Sequence, residues 1–195
     1  MAGGCLPLPE YTYQRDMEQG TVAFNRGDYA AAEEAYYQAL VNAQKDRFPD
    51  KGVATALLNL GRVKRLLCKD NEAEQLLRRS IEVGEKAWGP ESPYVSRSLL
   101  QLARLYYYQD RFSETVSLMQ RGVPIAEKLD VAHLTTHGWA YTMDLYADAL
   151  RKTNRESEAR DVEARANAFR ARPDYSGLRE KAFKAQEGEC KNKKG

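Results

Sequence analysis

Two histidines, four residues apart, are the first place in this sequence to look for chemistry. His133 and His137 lie about one helical turn apart, so both could face a single metal ion. No acidic residue stands at a spacing that would supply a third ligand, so we expect both in a partly exposed helix face. Serine, cysteine and histidine residues form no recognisable nucleophile arrangement either. The sequence therefore predicts no metal site, no cofactor and no covalent catalysis.

Paired carboxylates are the other residues that could act as an acid and a base. Glu33 and Glu34 are adjacent, and Asp144 and Asp148 lie four residues apart. Both pairs belong to segments rich in opposite charge, which is typical of solvated helix faces or groove walls. We therefore expect a protein that is not an enzyme.

The three cysteines, Cys5, Cys68 and Cys190, are odd in number and lack a CxxC spacing. This argues against a disulfide framework and a structural zinc site, and Cys68 is predicted to be a small core residue inside a helix. Ala2-Gly3-Gly4-Cys5 resembles the end of a bacterial lipoprotein signal, although the apolar segment that should precede it is missing. The likeness is either due to chance or marks a removed leader, so lipidation of Cys5 stays open.

Length and composition limit the classes of protein to consider. With 195 residues, 43% of them hydrophobic and 30% charged, the chain can form one domain or a small repeat array with a buried core. A net charge of +2 argues against a nucleic-acid partner held by phosphate contacts. No run of 18 apolar residues exists that would span a membrane.

An internal repeat organises the chain and must position any functional residues. Segments starting at Gly27, Lys69, Asp110 and Asn154 align, and their equivalent small residues lie 41, 42 and 44 residues apart: Ala32, Ala73, Thr115 and Ala159. Each repeat predicts two helices, which in the second repeat run over 53–69 and 71–87, with Asp70 or Asn71 as the cap of the second helix. Gly61 is predicted to pack against the second helix of its own repeat.

Helix-breaking residues separate these repeats. In Gly89-Pro90-Glu91-Ser92-Pro93, Gly89 can adopt the left-handed conformation that ends a helix, and Pro93 suits the first turn of the next one. We interpret this segment as a linker between repeats and not as a phosphate-binding loop. In the third repeat, Pro124 predicts a bend or an early end of the second helix.

These motifs resemble the tetratricopeptide repeat over roughly residues 11–170. The residues that carry the resemblance are Gly27-Asp28-Tyr29 with Ala32, Tyr36 and Ala39, and Leu60-Gly61 with Ala73, Leu77 and Ser80. The long repeat with its Trp88–Pro93 linker is similar to the kinesin light chain class. The resemblance implies an all-α, right-handed α-solenoid of about four helix-turn-helix repeats, at about 11–48, 52–89, 93–130 and 133–171. This repeat domain (11–172) would follow an extension (1–10) and precede a capping helix and basic tail (173–195).

In such a stack the first helices line a concave groove, so the resemblance implies a protein-binding function. Arginine and tyrosine are the residue types most often found at binding hot spots, and asparagine or glutamine can hydrogen-bond a peptide main chain. In the family, an asparagine at the position of Asn59 commonly does so. The candidate peptide-binding residues are Asn59, Arg62, Arg65, Arg97, Gln101, Arg104, Tyr107, Tyr108, Tyr141 and Asp148. An arginine-lined groove predicts a peptide with acidic and aromatic or apolar residues.

Other interpretations stay open. The arginines could merely keep their helices soluble, and Tyr107 or Tyr108 could pack into the next repeat. The chain could also be a lipid-anchored assembly factor of the bacterial envelope, facing the periplasm, instead of a cytoplasmic protein. A self-associating scaffold is the third possibility.

Overall fold

The fold consists of α-helices joined by short turns. The computed structural model describes residues 9–45, 50–128, 138–173 and 175, and this part of the chain holds eight helices and no strand. They are α1 (Pro9–Asn25), α2 (Tyr29–Lys45), α3 (Asp50–Leu66), α4 (Asp70–Trp88), α5 (Pro93–Tyr107), α6 (Phe112–Glu127), α7 (Trp139–Lys152) and α8 (Glu156–Arg170). Each odd-numbered helix packs against the helix that follows it. The predicted all-α repeat fold is confirmed.

One turn geometry recurs inside all four helix pairs. One residue of each turn has a positive φ: 78° at Gly27, 60° at Cys68, 58° at Asp110 and 59° at Asn154. The amide of the next residue then donates back to a carbonyl five residues earlier, as when Lys69 N bonds Lys64 O at 2.9 Å. This hydrogen bond satisfies a carbonyl that the end of the helix would otherwise leave unpaired.

Cys68 therefore lies in a turn, and the prediction of a helical core cysteine is wrong. Its backbone conformation is uncommon for a residue other than glycine. Cys68 is also disulfide-bonded, although the sequence argued against a disulfide framework. The other two cysteines, Cys5 and Cys190, lie outside the described residues.

The caps of the helices differ from the sequence prediction in the second repeat. There, α4 already begins at Asp70, and its N-cap residue is Lys69, which makes no capping hydrogen bond with its side chain. The predicted cap at Asp70 or Asn71 is therefore wrong. In the first repeat, Asp28 does act as a cap, because its Oδ1 accepts from the amide of Ala31 at 3.0 Å.

The linker between α4 and α5 has the predicted form. Gly89 has a φ of 86° and its amide donates to Glu85 O at 2.9 Å, which ends α4. Ser92 is the N-cap of α5 and accepts from the amide of Tyr94, while Pro93 occupies the first turn. This linker also coincides with a division of the chain into two compact units, Met1–Pro90 (unit 1) and Glu91–Gly195 (unit 2).

Small residues bring the helices of unit 1 close together. A Cβ atom placed on Gly61 would lie 2.9 Å from Leu77 Cγ and 3.3 Å from Leu76 Cβ, so the predicted contact of Gly61 with its own second helix is confirmed. On α1, a Cβ atom placed on Gly20 would lie 2.5 Å from the ring of Tyr36. Ser80 Oγ ties α4 to α3 by donating to Ala54 O at 2.9 Å.

Unit 2 packs its helices around one apolar core. Its members are buried side chains of α5 to α8, among them Ala103, Met119, Trp139, Leu150 and Phe169. Thr115, which replaces the small alanine of the other repeats, is fully buried, and its Oγ1 can donate to the carbonyl of Arg111 (3.0 Å) or Ala103 (3.4 Å). The position therefore accepts a hydroxyl group because backbone acceptors are within reach.

Of the bend or early end predicted at Pro124, the early end is wrong, and the bend stays a prediction. Helix α6 continues through this residue to Glu127. Pro124 is exposed, so the carbonyl that loses its hydrogen-bond donor lies near solvent, and the helix ends only three residues later.

Candidate functional site

Within the described residues, the carboxylates that could act as acids or bases form ion pairs and hydrogen bonds with neighbouring side chains. Within the described residues, no group of three His, Cys, Asp or Glu side chains could hold a metal ion, and His133 and His137 lie outside these residues. Glu33 pairs with Lys64 Nζ at 2.6 Å and with Lys69 Nζ at 2.8 Å. Burial raises the pKa of Glu33, but the hydrogen bonds and charges of the two lysines outweigh it and lower the pKa overall.

The second predicted carboxylate pair is also engaged. Asp144 accepts a hydrogen bond from Arg170 at 2.5 Å, and Asp148 accepts one from Tyr107 at 2.8 Å. Both contacts join neighbouring helices of unit 2, so these carboxylates connect elements of the fold.

In unit 1, α3 places the predicted binding residues at different depths. Asn59 and Arg62 are half-buried, whereas Arg65 is only 5% exposed. We name the side of each odd-numbered helix that is opposite the following helix its first-helix side. Asn59 and Arg62 are three residues apart and lie on the first-helix side of α3. Arg65, three residues beyond Arg62, is buried.

Arg62 forms an aromatic contact across two first helices of unit 1. Its Cζ lies 3.8 Å from the centre of the Phe24 ring of α1, which is a cation–π distance. The Tyr36 hydroxyl reaches the same region and lies 3.2 Å from Thr21 Oγ1. Burial raises the pKa of Tyr36, while the Thr21 hydrogen bond and the Arg62 charge oppose that rise. The first-helix side of unit 1 thus combines a cation, an aromatic ring and hydroxyl groups.

In unit 2, α5 carries a comparable side. Arg97 and Gln101 are half-buried and one helical turn apart, and Tyr108 lies two turns beyond Gln101. The Cζ of Arg97 is 5.5 Å from the ring centre of Tyr94, which is exposed. These residues line the first-helix side of α5.

Arg104, at the centre of the predicted basic groove, is 2% exposed. Its Nη2 contacts the hydroxyl of Thr142 and lies 3.5 Å from the carbonyl of Gly138, at the start of α7. Its Cζ is 5.8 Å from the ring centre of Tyr141. Arg104 therefore fastens α5 to the first turn of α7, and a ligand would have to displace these contacts to reach it.

The predicted tyrosines and Asp148 come together where α5 meets α7. Tyr107 donates to Asp148, and its ring packs edge-on against Tyr108 at 5.3 Å between centres. The Tyr108 and Tyr141 hydroxyls are hydrogen-bonded to each other. Burial, followed by the nearby Asp148 carboxylate, raises the pKa of Tyr107 well above its ordinary value. All four residues interact inside unit 2, and Tyr107 packs against the next repeat.

Sequence reasoning missed the partners of these residues. The ring of Phe24 was not predicted as the partner of Arg62. Thr142 and Gly138 were missed as partners of Arg104, because no local pattern links residues that are 34 and 38 positions apart. The contact between Arg62 and Phe24 did have a signal in the sequence, because Phe24 lies almost one repeat before Arg62 and on the equivalent side of α1.

Comparisons with known proteins agree with this geometry. A family model described as Tetratricopeptide repeat matches residues 16–86 and 71–128, which together span more than half of the chain. Among solved structures, BtubC (BKLC) from P. vanneervenii is similar with a TM-score of 0.73 and 20% identity, over 84% of this chain and 65% of that chain. TPR-like, nearly identical kinesin-light-chain repeats from Podosopora anserina match with a TM-score of 0.68 and 20% identity, over 95% of this chain and 87% of theirs.

At 20% identity, the two solved structures show a shared fold and nothing further about this chain. The chain spans 65% of the length of BtubC, so the two differ in extent. No curated protein matches this sequence. The predicted resemblance to the kinesin light chain class of repeats is confirmed.

Proposed function

Because this chain belongs to the tetratricopeptide repeat family, we propose that it is a non-catalytic protein-binding module that recognises peptide segments. The segments carry acidic residues together with aromatic or apolar ones, and they bind on the first-helix sides. The observation that supports this proposal most directly is the stack of Arg62 on Phe24, with Asn59 half-buried on the same side of α3.

A stacked guanidinium suits carboxylate recognition for a geometric reason. The guanidinium carbon of Arg62 lies 3.8 Å from the centre of the Phe24 ring, and the N–H groups of any guanidinium point outward from its edge and can form two parallel bonds to a carboxylate. Stacking also reduces the side-chain entropy that binding would otherwise cost. Asn59 adds an amide that can both donate to and accept from an extended main chain.

The α5 side of unit 2 has similar residue types, an arginine, an amide side chain and an aromatic ring: Arg97, Gln101 and Tyr108. The buried Arg104 belongs to the fold there, so we assign peptide recognition in unit 2 to the half-buried residues.

The proposal can be tested without knowing the natural partner. A random peptide library displayed on phage is selected against the full chain, and enriched peptides are titrated by fluorescence anisotropy. We expect enrichment of acidic residues next to aromatic or apolar ones. Arg62→Gln should weaken binding by about 1.5–3 kcal/mol, which is roughly 10- to 150-fold, because a hydrogen bond to a charged group is lost.

Arg78→Gln is the matched control. Arg78 lies on the exposed side of α4, where it pairs with Glu74 at 3.0 Å, and its neutralisation changes net charge by the same amount. Peptide affinity should not change in this variant. If both Arg62→Gln and Asn59→Ala bind selected peptides as tightly as the parent chain, peptide recognition on α3 is refuted.

Location stays a prediction. No helix in the described residues is long and apolar enough to cross a membrane. The cytoplasmic placement and the alternative of a lipid anchor at Cys5 both rest on the sequence, since Cys5 lies outside the described residues.

A further inference from the structure

The large apolar side chains that are exposed concentrate on the first helix pair of unit 1. Of the five in the described part of the chain, four belong to α1 and α2: Tyr11, Val22, Tyr37 and Val41. The outward side of α4 is instead strongly charged, with Glu72, Arg78, Arg79, Glu82 and Lys86 all exposed. Because exposed apolar patches mark interaction surfaces, the outward side of α1 and α2 is a candidate contact surface.

On α1, the exposed apolar residues share a stripe with residues that line a crevice between the two helices. Tyr11, Arg15, Gln19 and Val22 are spaced four, four and three residues apart, so they form one stripe along the helix. Arg15 and Gln19 line the crevice, which has a volume of about 430 Å³.

A matching stripe follows α2. Glu34 and Gln38 line the opposite wall of the same crevice, and Tyr37 and Val41 lie three residues beyond them. Along these stripes α1 presents Arg15 and the exposed Glu18, and α2 presents Glu34, each together with one glutamine and apolar residues. We name the two stripes together the crevice face.

Two of these charges, those of Arg15 and Glu34, are held by intramolecular hydrogen bonds. Arg15 donates twice to Oδ1 of the buried Asp16, at 3.0 and 2.8 Å, and Asn42 donates to the other oxygen at 2.7 Å. Gln38 donates to Glu34 at 2.9 Å. The positive charge therefore has a defined place on α1 and the negative charge a defined place on α2.

We infer that the crevice face binds the crevice face of a second copy of this chain, which makes a two-fold symmetric dimer. In a two-fold contact the same surface of both copies meets, so that surface must be complementary to itself. Helices α1 and α2 run antiparallel, so the two charges lie at different heights along the crevice. A two-fold axis perpendicular to the helices brings Arg15 of each copy to the level of Glu34 of the other, and Tyr and Val residues meet around them.

The size of the crevice face predicts a weak dimer. Two helices of 17 residues are about 25 Å long and together about 20 Å wide, which presents about 500 Å² per copy. Pairing would bury about 1,000 Å² in total, near the lower limit for specific contacts. We therefore expect a concentration-dependent dimer with a micromolar dissociation constant.

Sedimentation velocity of the full chain over a concentration series tests the inference. The sedimentation coefficient of the parent should rise with concentration. Tyr37→Glu should weaken self-association at least tenfold, because it places two carboxylates in the apolar part of the contact. The control is Tyr94→Glu, the same substitution at the exposed tyrosine of unit 2, and it should behave as the parent.

A second pair of variants tests the charge pairing. Glu34→Arg should weaken the dimer by bringing two arginines together, whereas Glu82→Arg, the same change on α4, should leave it intact. All four sites are exposed, so circular dichroism should show parent-like folds. If the parent is monomeric at every concentration, the inference is overturned, and another protein or a further repeat becomes the occupant. Self-association that survives both Tyr37→Glu and Glu34→Arg overturns it equally.

Discussion

Replacing Gly61 by leucine tests how closely α3 and α4 pack. Even the Cβ atom of the new side chain would lie 2.9 Å from Leu77 Cγ and 3.0 Å from its Cδ2, and Leu77 is fully buried. Leucine gains about 0.8–1 kcal/mol in helix propensity over glycine. Its further carbon atoms overpack a closed contact, which typically costs about 1–3 kcal/mol and occasionally more. Because the space is already too small for one carbon atom, we expect the upper end of that cost, and a net destabilisation of about 1–3 kcal/mol.

The assay is urea unfolding of the full chain followed by far-UV circular dichroism. Gly61→Ala provides the graded comparison, since it adds only the first carbon and recovers a similar propensity, so its change should be about 1 kcal/mol or less. Leu77→Ala alone should cost about 2–5 kcal/mol. The double variant Gly61→Leu with Leu77→Ala should lose less stability than the sum of the two single losses, because the new leucine can occupy the space that Leu77 vacates. A Gly61→Leu chain that unfolds at the same or a higher urea concentration would show that this helix contact is misassigned.

Three further substitutions address other contacts, each measured by the same urea unfolding. Thr142→Val removes the hydroxyl that the buried Arg104 contacts, and it should cost about 1–3 kcal/mol, whereas Thr142→Ser should restore most of that loss. Tyr107→Phe keeps the ring but loses the hydrogen bond to Asp148, so we expect a loss of about 0.5–3 kcal/mol, and an unchanged stability would contradict the contact. Glu33 has a lowered pKa in the folded chain, so its stabilisation is present above the pKa of an unfolded carboxyl group, about 4.3, and is lost as the pH falls through the folded value. The stability difference between the parent and Glu33→Gln should therefore shrink in acid, and a difference that is constant across the pH series would refute this.

The helix pairs could be predicted because their signals are local. Gly89 and Pro93 mark a boundary by backbone chemistry alone, and the structure ends and starts helices there. The cap of α4 could not be predicted in the same way. Asp70 has the right side chain for an N-cap, but the turn begins with a positive φ at Cys68, and the helix already includes Asp70. A turn that repeats at four positions with Gly, Cys, Asp and Asn has no common residue type for a sequence pattern to detect.

The depth of a side chain was harder to predict than the side of the helix on which it lies. Arg62 and Arg104 occupy equivalent positions, 42 residues apart, and the sequence assigns both to a groove. Arg62 is half-buried on Phe24, whereas Arg104 is buried against the start of α7. The difference depends on the neighbouring helix, because Gly138 and Thr142 offer oxygen acceptors within reach of Arg104.

This difference limits how a family's binding residues can be transferred between repeats. An arginine can bind a ligand at little cost only where its own fold does not already use its hydrogen bonds to join helices, since breaking such a buried contact costs several kcal/mol. The tyrosines of unit 2 are subject to the same constraint, because Tyr107, Tyr108 and Tyr141 interact with each other or with Asp148. Because a ligand reaches half-buried side chains more readily than buried ones, binding specificity in this chain should depend more on Asn59, Arg62, Arg97 and Gln101 than on the buried Arg104 and Tyr141.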